Sequence, residues 1–293
     1  MLIRQIVRPV PGFCALTLAF SMLMGPAPAQ GQGRQTVGLE LVLLVDVSAS
    51  VNDEEFRLQV GGLAGAFASA AVLNAIRTLA PRGMAVCVVQ WADQAFQQRS
   101  VDWTVLLRDT DVLWFAGKIA TMPRRSHGDH TAIGDALAFG LSELQSNGYR
   151  GLRQVIDVSG DGRNNGGRRL SGAREEVLKN GVTINGLAIL NELPQLGKYF
   201  QDRLIGGEGA FVMTALDYTD FARAMRHKLE QEIGSVPVTS NAIPGVYSVA
   251  YPGEFPGALV EAQAGQAPRA GLGKPIPGAG GAFRRTVREG RKG

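Results

Sequence analysis

An aspartate and two serines at alternate positions close the first long apolar run of the chain. Leu39-Glu40-Leu41-Val42-Leu43-Leu44-Val45 leads into Asp46-Val47-Ser48-Ala49-Ser50. A buried strand that delivers Asp46, Ser48 and Ser50 at every second position aims three oxygen donors the same way, as a hard divalent cation requires. Asp, Ser and Ser also form turns and helix caps, so this segment alone leaves both readings open.

Two later segments extend the oxygen set. In His130-Thr131-Ala132-Ile133-Gly134-Asp135-Ala136-Leu137 a threonine precedes an amphipathic helical stretch, where its hydroxyl lies at a helix N-terminus and is free to point into a cleft. Leu152-Arg153-Gln154-Val155-Ile156-Asp157-Val158-Ser159 reads as a strand running into Gly160-Asp161-Gly162, whose glycines let a carboxylate project from a tight turn. The candidate metal ligands are thus Asp46, Ser48, Ser50, Thr131 and Asp161. Only two of the five are charged, enough to neutralise a divalent ion. An octahedral ion so held keeps an electrophilic position, for which a carboxylate from another molecule is the natural ligand. Mg²⁺ is the favoured ion, with Mn²⁺ and Ca²⁺ as alternatives.

The order Asp-x-Ser-x-Ser, a lone Thr and a strand-ending Asp-Gly resembles the metal-ion-dependent adhesion site (MIDAS) of von Willebrand factor type A (vWA) domains. The resemblance spans roughly residues 37–233 and includes the strand end Val88-Val89-Gln90-Trp91-Ala92. Within that superfamily, Val155-Ile156-Asp157-Val158-Ser159-Gly160-Asp161-Gly162-Arg163-Asn164-Asn165 is most similar to an exported bacterial branch of undefined role. The resemblance implies direct contact of the ion by the serines and threonine, with one or both aspartates acting through water. It also implies a partner protein offering a Glu or Asp carboxylate, and a last helix that could move on ligation.

Other chemistries lack their parts. No Gly-x-Ser-x-Gly, His-Glu-x-x-His or Gly-x-x-x-x-Gly-Lys-Ser/Thr pattern occurs. No Glu or His accompanies the five donors as a general base, so no catalytic residue is assigned and a non-enzymatic role is expected. The exception is His127-Gly128-Asp129-His130, beside Thr131. The alternative function is therefore a periplasmic metal-assisted hydrolase using His127 or His130 as base; a solvated loop is the plainer reading. Arg163, Arg168 and Arg169, with Asn164 and Asn165, either grip an acidic ligand or are ordinary surface groups. Asp157 departs from the usual apolar residue at that strand position; it either braces the Asp161 turn or, as favoured here, pairs with a nearby arginine.

The elements that must position these residues alternate along the chain. Apolar strand-like runs at 39–47, 84–91, 97–101, 154–159, 182–190 and 210–214 are interleaved with helical stretches at 53–79, 110–120, 132–146, 171–180, 194–204 and 218–233. That alternation predicts an α/β fold, a doubly wound, mostly parallel central sheet with helices on both faces. Ligands of such sheets sit beyond the carboxyl ends of strands, where Asp46, Ser48, Ser50 and Asp161 fall; segment 117–129 then has to loop across that edge.

With 293 residues, 45% of them hydrophobic, the chain can bury one large domain plus appendages. Residues 1–29 carry early positive charge, an apolar stretch at 13–24 too short to span a bilayer, and Ala27-Pro28-Ala29, a signal-peptide pattern with an uncleaved anchor as the alternative. The expected division is signal peptide 1–29, linker 30–36, vWA-like domain 37–234, and a Pro/Gly/Ala-rich, basic, disordered tail 235–293. An exported protein, periplasmic or extracellular, with no transmembrane segment after cleavage, follows. Cys87, in an apolar strand, is then the one cysteine left, read as a buried small hydrophobe.

The formal charge of +4 sits in the tail. Residues 30–234 hold 21 Lys and Arg against 23 Asp and Glu, while residues 235–293 hold 7 against 3. A nucleic-acid footprint is absent from the domain, and an acidic surface is the only partner the tail's charge suggests.

Overall fold

The computed structural model describes residues 33–125 and 128–234. Six strands form one sheet in the order β3-β2-β1-β4-β5-β6. These are β1 (Gln35–Asp46), β2 (Met84–Trp91), β3 (Gln97–Leu106), β4 (Tyr149–Gly160), β5 (Thr183–Ile189) and β6 (Val212–Ala215). All pairings are parallel except β2 with β3, which is antiparallel.

Strand side chains alternate between faces, and this sheet uses both. Leu39, Leu41, Leu43 and Val45 of β1 pack with α1 (Asp53–Phe67), α2 (Ala70–Arg77), α3 (Asp109–Ala120) and α7 (Phe221–Gly234). Val42 and Leu44 pack on the other side with α4 (Ile133–Ser146), α5 (Leu170–Lys179) and α6 (Leu196–Tyr199), the last continuing as a π-helical turn over Phe200–Leu204. The near-continuous apolar strands follow from this two-sided coverage, and the doubly wound α/β architecture is the expected one. Cys87 is buried in the second cluster, and burial pushes its thiol well above the usual range.

Several expectations need correction. The helix expected over 53–79 is two helices bent by 52°. Ser69 makes the break: its hydroxyl donates to Ala66 O (2.7 Å) and accepts from Val72 N–H (3.3 Å), ending one helix and capping the next. β3 continues to Leu106, beyond 101, because it is paired with β2 along its length. β4 starts at Tyr149, ahead of 154, and β1 starts at Gln35, inside the expected linker. The 117–129 segment is helical through Ala120, so the crossing loop is shorter than expected.

Among the described residues Asp157 pairs with no arginine and makes no hydrogen bond to the Asp161 turn. Lys228 of α7 approaches it, with Nζ 2.6 Å from Oδ2 and 3.4 Å from Glu232 Oε2. The first contact lies outside hydrogen-bond geometry, so the attraction is electrostatic. Asn185 of β5 donates to Glu232 Oε1 at 2.6 Å, and Arg153 donates to the carbonyls of Glu232 and Ile233. Burial, reinforced by the charge of Asp157 and opposed by Lys228, pushes the Glu232 carboxyl up to about 7.

Among the described residues no single helix is long and apolar enough to cross a membrane. The expected signal peptide and the basic tail lie outside the described residues.

Candidate metal centre at the carboxyl edge of the sheet

β1 ends on Asp46, whose register partner on β2 is Trp91, and the preceding pair on the other side is Val45 with Ser159 of β4. Gly160 therefore lies beside Asp46. A Cβ at Gly160 would fall 2.7 Å from Asp46 Oδ2, so the absence of a side chain there makes room for the carboxylate. The loop after β1 then folds back: Ser48 N–H donates to Asp46 Oδ1 (2.8 Å), and Asn52 begins α1 with a reciprocal capping box to Glu55.

The remaining oxygens close on this loop in a chain of short contacts. Ser48 Oγ and Ser50 Oγ are 3.3 Å apart, and Thr131 Oγ1 is 3.4 Å from Ser48 Oγ. Ser50 Oγ donates to Asp161 Oδ1 at 2.7 Å. All five predicted ligands therefore gather at one point. Asp46, Ser48, Thr131 and Asp161 are buried, while Ser50 is partly open and Ala49 exposed, which leaves access from the loop side.

Thr131 is free for this role because other groups do the capping. The α4 N-terminus has no side-chain cap of its own; Asn164 Oδ1 accepts from Gly134 N–H (3.0 Å). Asn165 grips Thr131 twice, its Oδ1 accepting from Thr131 N–H (2.7 Å) and its N–H donating to Thr131 O (3.0 Å). Both asparagines hold loops together. Arg168 is bound to Asp135, and Arg163 stacks over the Tyr199 ring at 5.4 Å. Arg163, Arg168 and Arg169 are all exposed, the first two with these internal contacts among the described residues.

Three neighbours of the site carried no sequence signal. The Tyr218 hydroxyl, just ahead of α7, donates to Asp161 Oδ2 at 2.9 Å; burial and the charges of Asp161 and Asp46 hold its pKa far above the usual range. Gln59 of α1 donates to Asp46 O at 3.1 Å. Arg124 reaches from the α3–α4 loop to Val47 O and Ser48 O, at 3.2 and 3.3 Å. Each arrives from a distant segment, so only the tertiary fold reveals it.

The site can be tested as a cation cradle by its unsatisfied groups. Asp46 Oδ2 is fully buried with no hydrogen-bond partner. Burial, then the charge of Asp161, pushes the Asp46 carboxyl up to about 7, against hydrogen bonds from Ser48 and the charge of Arg124. Two close carboxylates ringed by hydroxyls, one with an orphaned oxygen, are what a hard divalent cation relieves. Among the described residues no three His, Cys, Asp or Glu side chains cluster, so the donors here are two carboxylates and three hydroxyls, all oxygen. The residues present fit a hard cation. His130 is exposed and makes no hydrogen bond to the five among the described residues, and His127 lies outside them.

A family profile described as a protein of unknown function (DUF1194) matches residues 36–237. The chain belongs to that family. Its fold is that of the vWA domains. Proximal thread matrix protein 1 from the mussel byssus is 19% identical, with 68% of this chain and 47% of that one covered and a TM-score of 0.51. The same protein with a zinc-occupied MIDAS motif gives 18% identity, 69% and 47% coverage, and a TM-score of 0.50. A von Willebrand factor type A protein from Catenulispora acidiphila is 16% identical over 68% of this chain and 43% of its own, with a TM-score of 0.45. This DUF1194 chain spans about half the length of the mussel protein. At these identities the likeness establishes the fold alone. Among curated proteins, none matches the sequence.

Proposed function

We propose that this DUF1194 protein is an exported, non-enzymatic binding domain that captures an acidic residue of a partner protein through a divalent cation. Asp46, Ser48, Ser50, Thr131 and Asp161 would hold the ion, Mg²⁺ in first place with Mn²⁺ or Ca²⁺ able to replace it. The bound ion supplies an electrophilic position that a partner's carboxylate completes. The observation that carries the reading is the close approach of Ser48, Ser50, Thr131 and Asp161 oxygens, from three distant segments, beside Asp46, whose buried Oδ2 has no hydrogen bond. The zinc-occupied MIDAS of a protein with the same fold supports a divalent ion at such a place. Export rests on the segment 1–29, and the unit that folds is taken as 35–234, from the first residue of β1 to the last of α7.

Titrating the full chain with Mn²⁺, and following the free-ion signal by electron paramagnetic resonance, tests the cation. Wild type should deplete the free signal, Mg²⁺ should compete, and Asp46→Ala and Thr131→Val should bind at least roughly tenfold more weakly while keeping their circular dichroism. Capture from envelope proteins should then be lost with a chelator and with Asp46→Ala. Unchanged Mn²⁺ binding in Asp46→Ala, or capture indifferent to chelator, overturns the reading.

A further inference from the structure

Beside the cation cradle lies a second, polar cavity of about 330 Å³, bounded by Asp93, Gln94, His130, Asn165 and Gly166. Its walls are the loops after β2, before α4 and after β4, and two of these also deliver Thr131 and Asp161. The loops are fastened to one another. Ala132 N–H donates to Ala92 O (2.8 Å), Asn165 and Thr131 exchange two hydrogen bonds, and Asn164 Nδ2 donates to Gly166 O (3.2 Å). Glycine is needed where they meet: a Cβ at Gly166 would fall 2.9 Å from His130 Cβ, and one at Gly128 would fall 2.7 Å from Ala92 Cβ. The cavity is thus a built feature, and its wall residue His130 directly precedes Thr131 of the metal centre.

The formal charge in the lining is Asp93. Its Oδ1 accepts from Ala95 N–H at 2.9 Å, which fixes the side chain, and no hydrogen bond among the described residues engages Oδ2. No arginine or lysine is among the lining residues, and Arg168 on the neighbouring loop is bound to Asp135. A half-buried carboxylate with one unengaged oxygen, beside the Gln94 amide in the same lining, favours a cationic hydrogen-bond donor. His130 lines the cavity and its neighbour Thr131 belongs to the cradle, so the two sites lie within a few residues of extended chain at about 3.5 Å per residue.

We propose that this cavity is a subsite for a lysine or arginine side chain of the same partner, close in sequence to the carboxylate that completes the cation. The inference rests on the metal-bridged reading and adds the partner's second chemical feature. Acetylated hexapeptides carrying one Glu and one Lys separated by zero to two glycines, and the same peptides with norleucine for Lys, serve as probes. They are titrated into the full chain with Mg²⁺, following the amide resonances of Gly166 and Gly128. At least one Lys peptide should bind roughly fivefold tighter than its norleucine partner. Asp93→Asn, which keeps the acceptor for Ala95 N–H, should erase that preference, and Asp93→Lys should reverse it. Equal affinity of Lys and norleucine peptides with Mg²⁺ dependence intact, or no saturable shift at Gly166, overturns the subsite while leaving the metal centre standing. A lysine preference that depends on Asp93 yet persists with chelator supports the subsite and counts against the metal bridge instead.

Discussion

Replacing Lys228 by methionine tests the energetics of the domain at its most exposed assumption, that a buried ion cluster holds α7 on the sheet. Lys228 is fully buried, and the carboxylates it faces, Asp157 and Glu232, are each 1% exposed. Methionine keeps most of the packing volume and removes the ammonium. Two carboxyl groups then share a dry site without the ammonium that faces both, the situation in which breaking a buried pair costs about 3–5 kcal/mol. Glu232 sets part of the scale. It is already raised from 4.5 to about 7 with Lys228 present, a shift that disfavours its charged form by roughly 3 kcal/mol. Removing Lys228 deletes the largest influence pulling it down. For a domain of this size the expected fall in Tm at pH 7.5 is roughly 10 °C.

The sign of the pH dependence separates this cause from simple loss of packing. A carboxyl raised in the folded state contributes stability that is present in full below its unfolded value, near 4.5 here, and lost as pH rises through the folded value. The Lys228→Met deficit should therefore stay nearly constant between about 4.5 and 7, where Glu232 is protonated in both folded forms, and grow above 7, where the wild type has completed its loss and the variant, without Lys228, continues to lose stability. Adding Asp157→Leu should recover most of the deficit, because a buried pair replaced by apolar groups is often neutral. Calorimetric or circular dichroism melts across pH 4.5–8, with the metal concentration fixed, decide the matter. A deficit under about 1 kcal/mol at pH 7.5, or one independent of pH, refutes the argument.

Two further outcomes follow from glycine positions. Gly160→Ala places a Cβ 2.7 Å from Asp46 Oδ2, so Mn²⁺ affinity should fall by roughly tenfold with the fold retained; unchanged affinity would mean that Asp46 is not confined as described. On α1, Gly61 has nothing within 4 Å of an added Cβ, whereas at Gly62 it would meet Phe221 Cδ1 at 2.8 Å and Ala222 Cα at 3.1 Å. In thermal melts Gly61→Ala should stabilise by about 0.5–1 kcal/mol and Gly62→Ala should destabilise by about 1–3 kcal/mol, and equal effects at the two positions would contradict the α1–α7 packing.

Much of the architecture was legible because the determining pattern is local. Strands covered on both faces are apolar almost throughout, and β1, β2 and the end of β4 carry that signature in Leu39–Val45, Met84–Val89 and Val155–Val158, whose burial is nearly complete. What the chain hid depends on partners far away in sequence. β3 reads QQRSVDWTVL and is half exposed, so its extent is fixed by pairing with β2 and not by its own residues. The break at Ser69 turns on one hydroxyl serving two turns of backbone, and an apolar pattern running through it gives no warning. Asp157 was legible as a buried acid in need of a partner, but nearby arginines were the wrong place to look. Its partner lies on a helix 71 positions later, whose buried face carries Lys228 and Glu232 among Met225 and Leu229.

The candidate site divides along the same line. Its five oxygens are written in motifs, since each sits directly after a strand or before a helix, and local geometry suffices to bring them to one edge. Their electrostatic inequality is not. Asp161 has both carboxylate oxygens engaged, by Ser50 and by Tyr218, whereas Asp46 has one oxygen on Ser48 N–H and the other buried without a hydrogen bond. Hydroxyl dipoles from Ser48, Ser50 and Thr131 surround the pair without supplying positive charge, and Arg124 spends its Nη2 on the carbonyls of Val47 and Ser48. Burial and mutual repulsion then raise Asp46 and leave Asp161 as the anchored member. Tyr218, by fixing Asp161, makes the two aspartates unlike, and a site with one anchored and one unsatisfied carboxylate has its strongest remaining demand for a cation at Asp46 Oδ2, the atom against which Gly160 gives way.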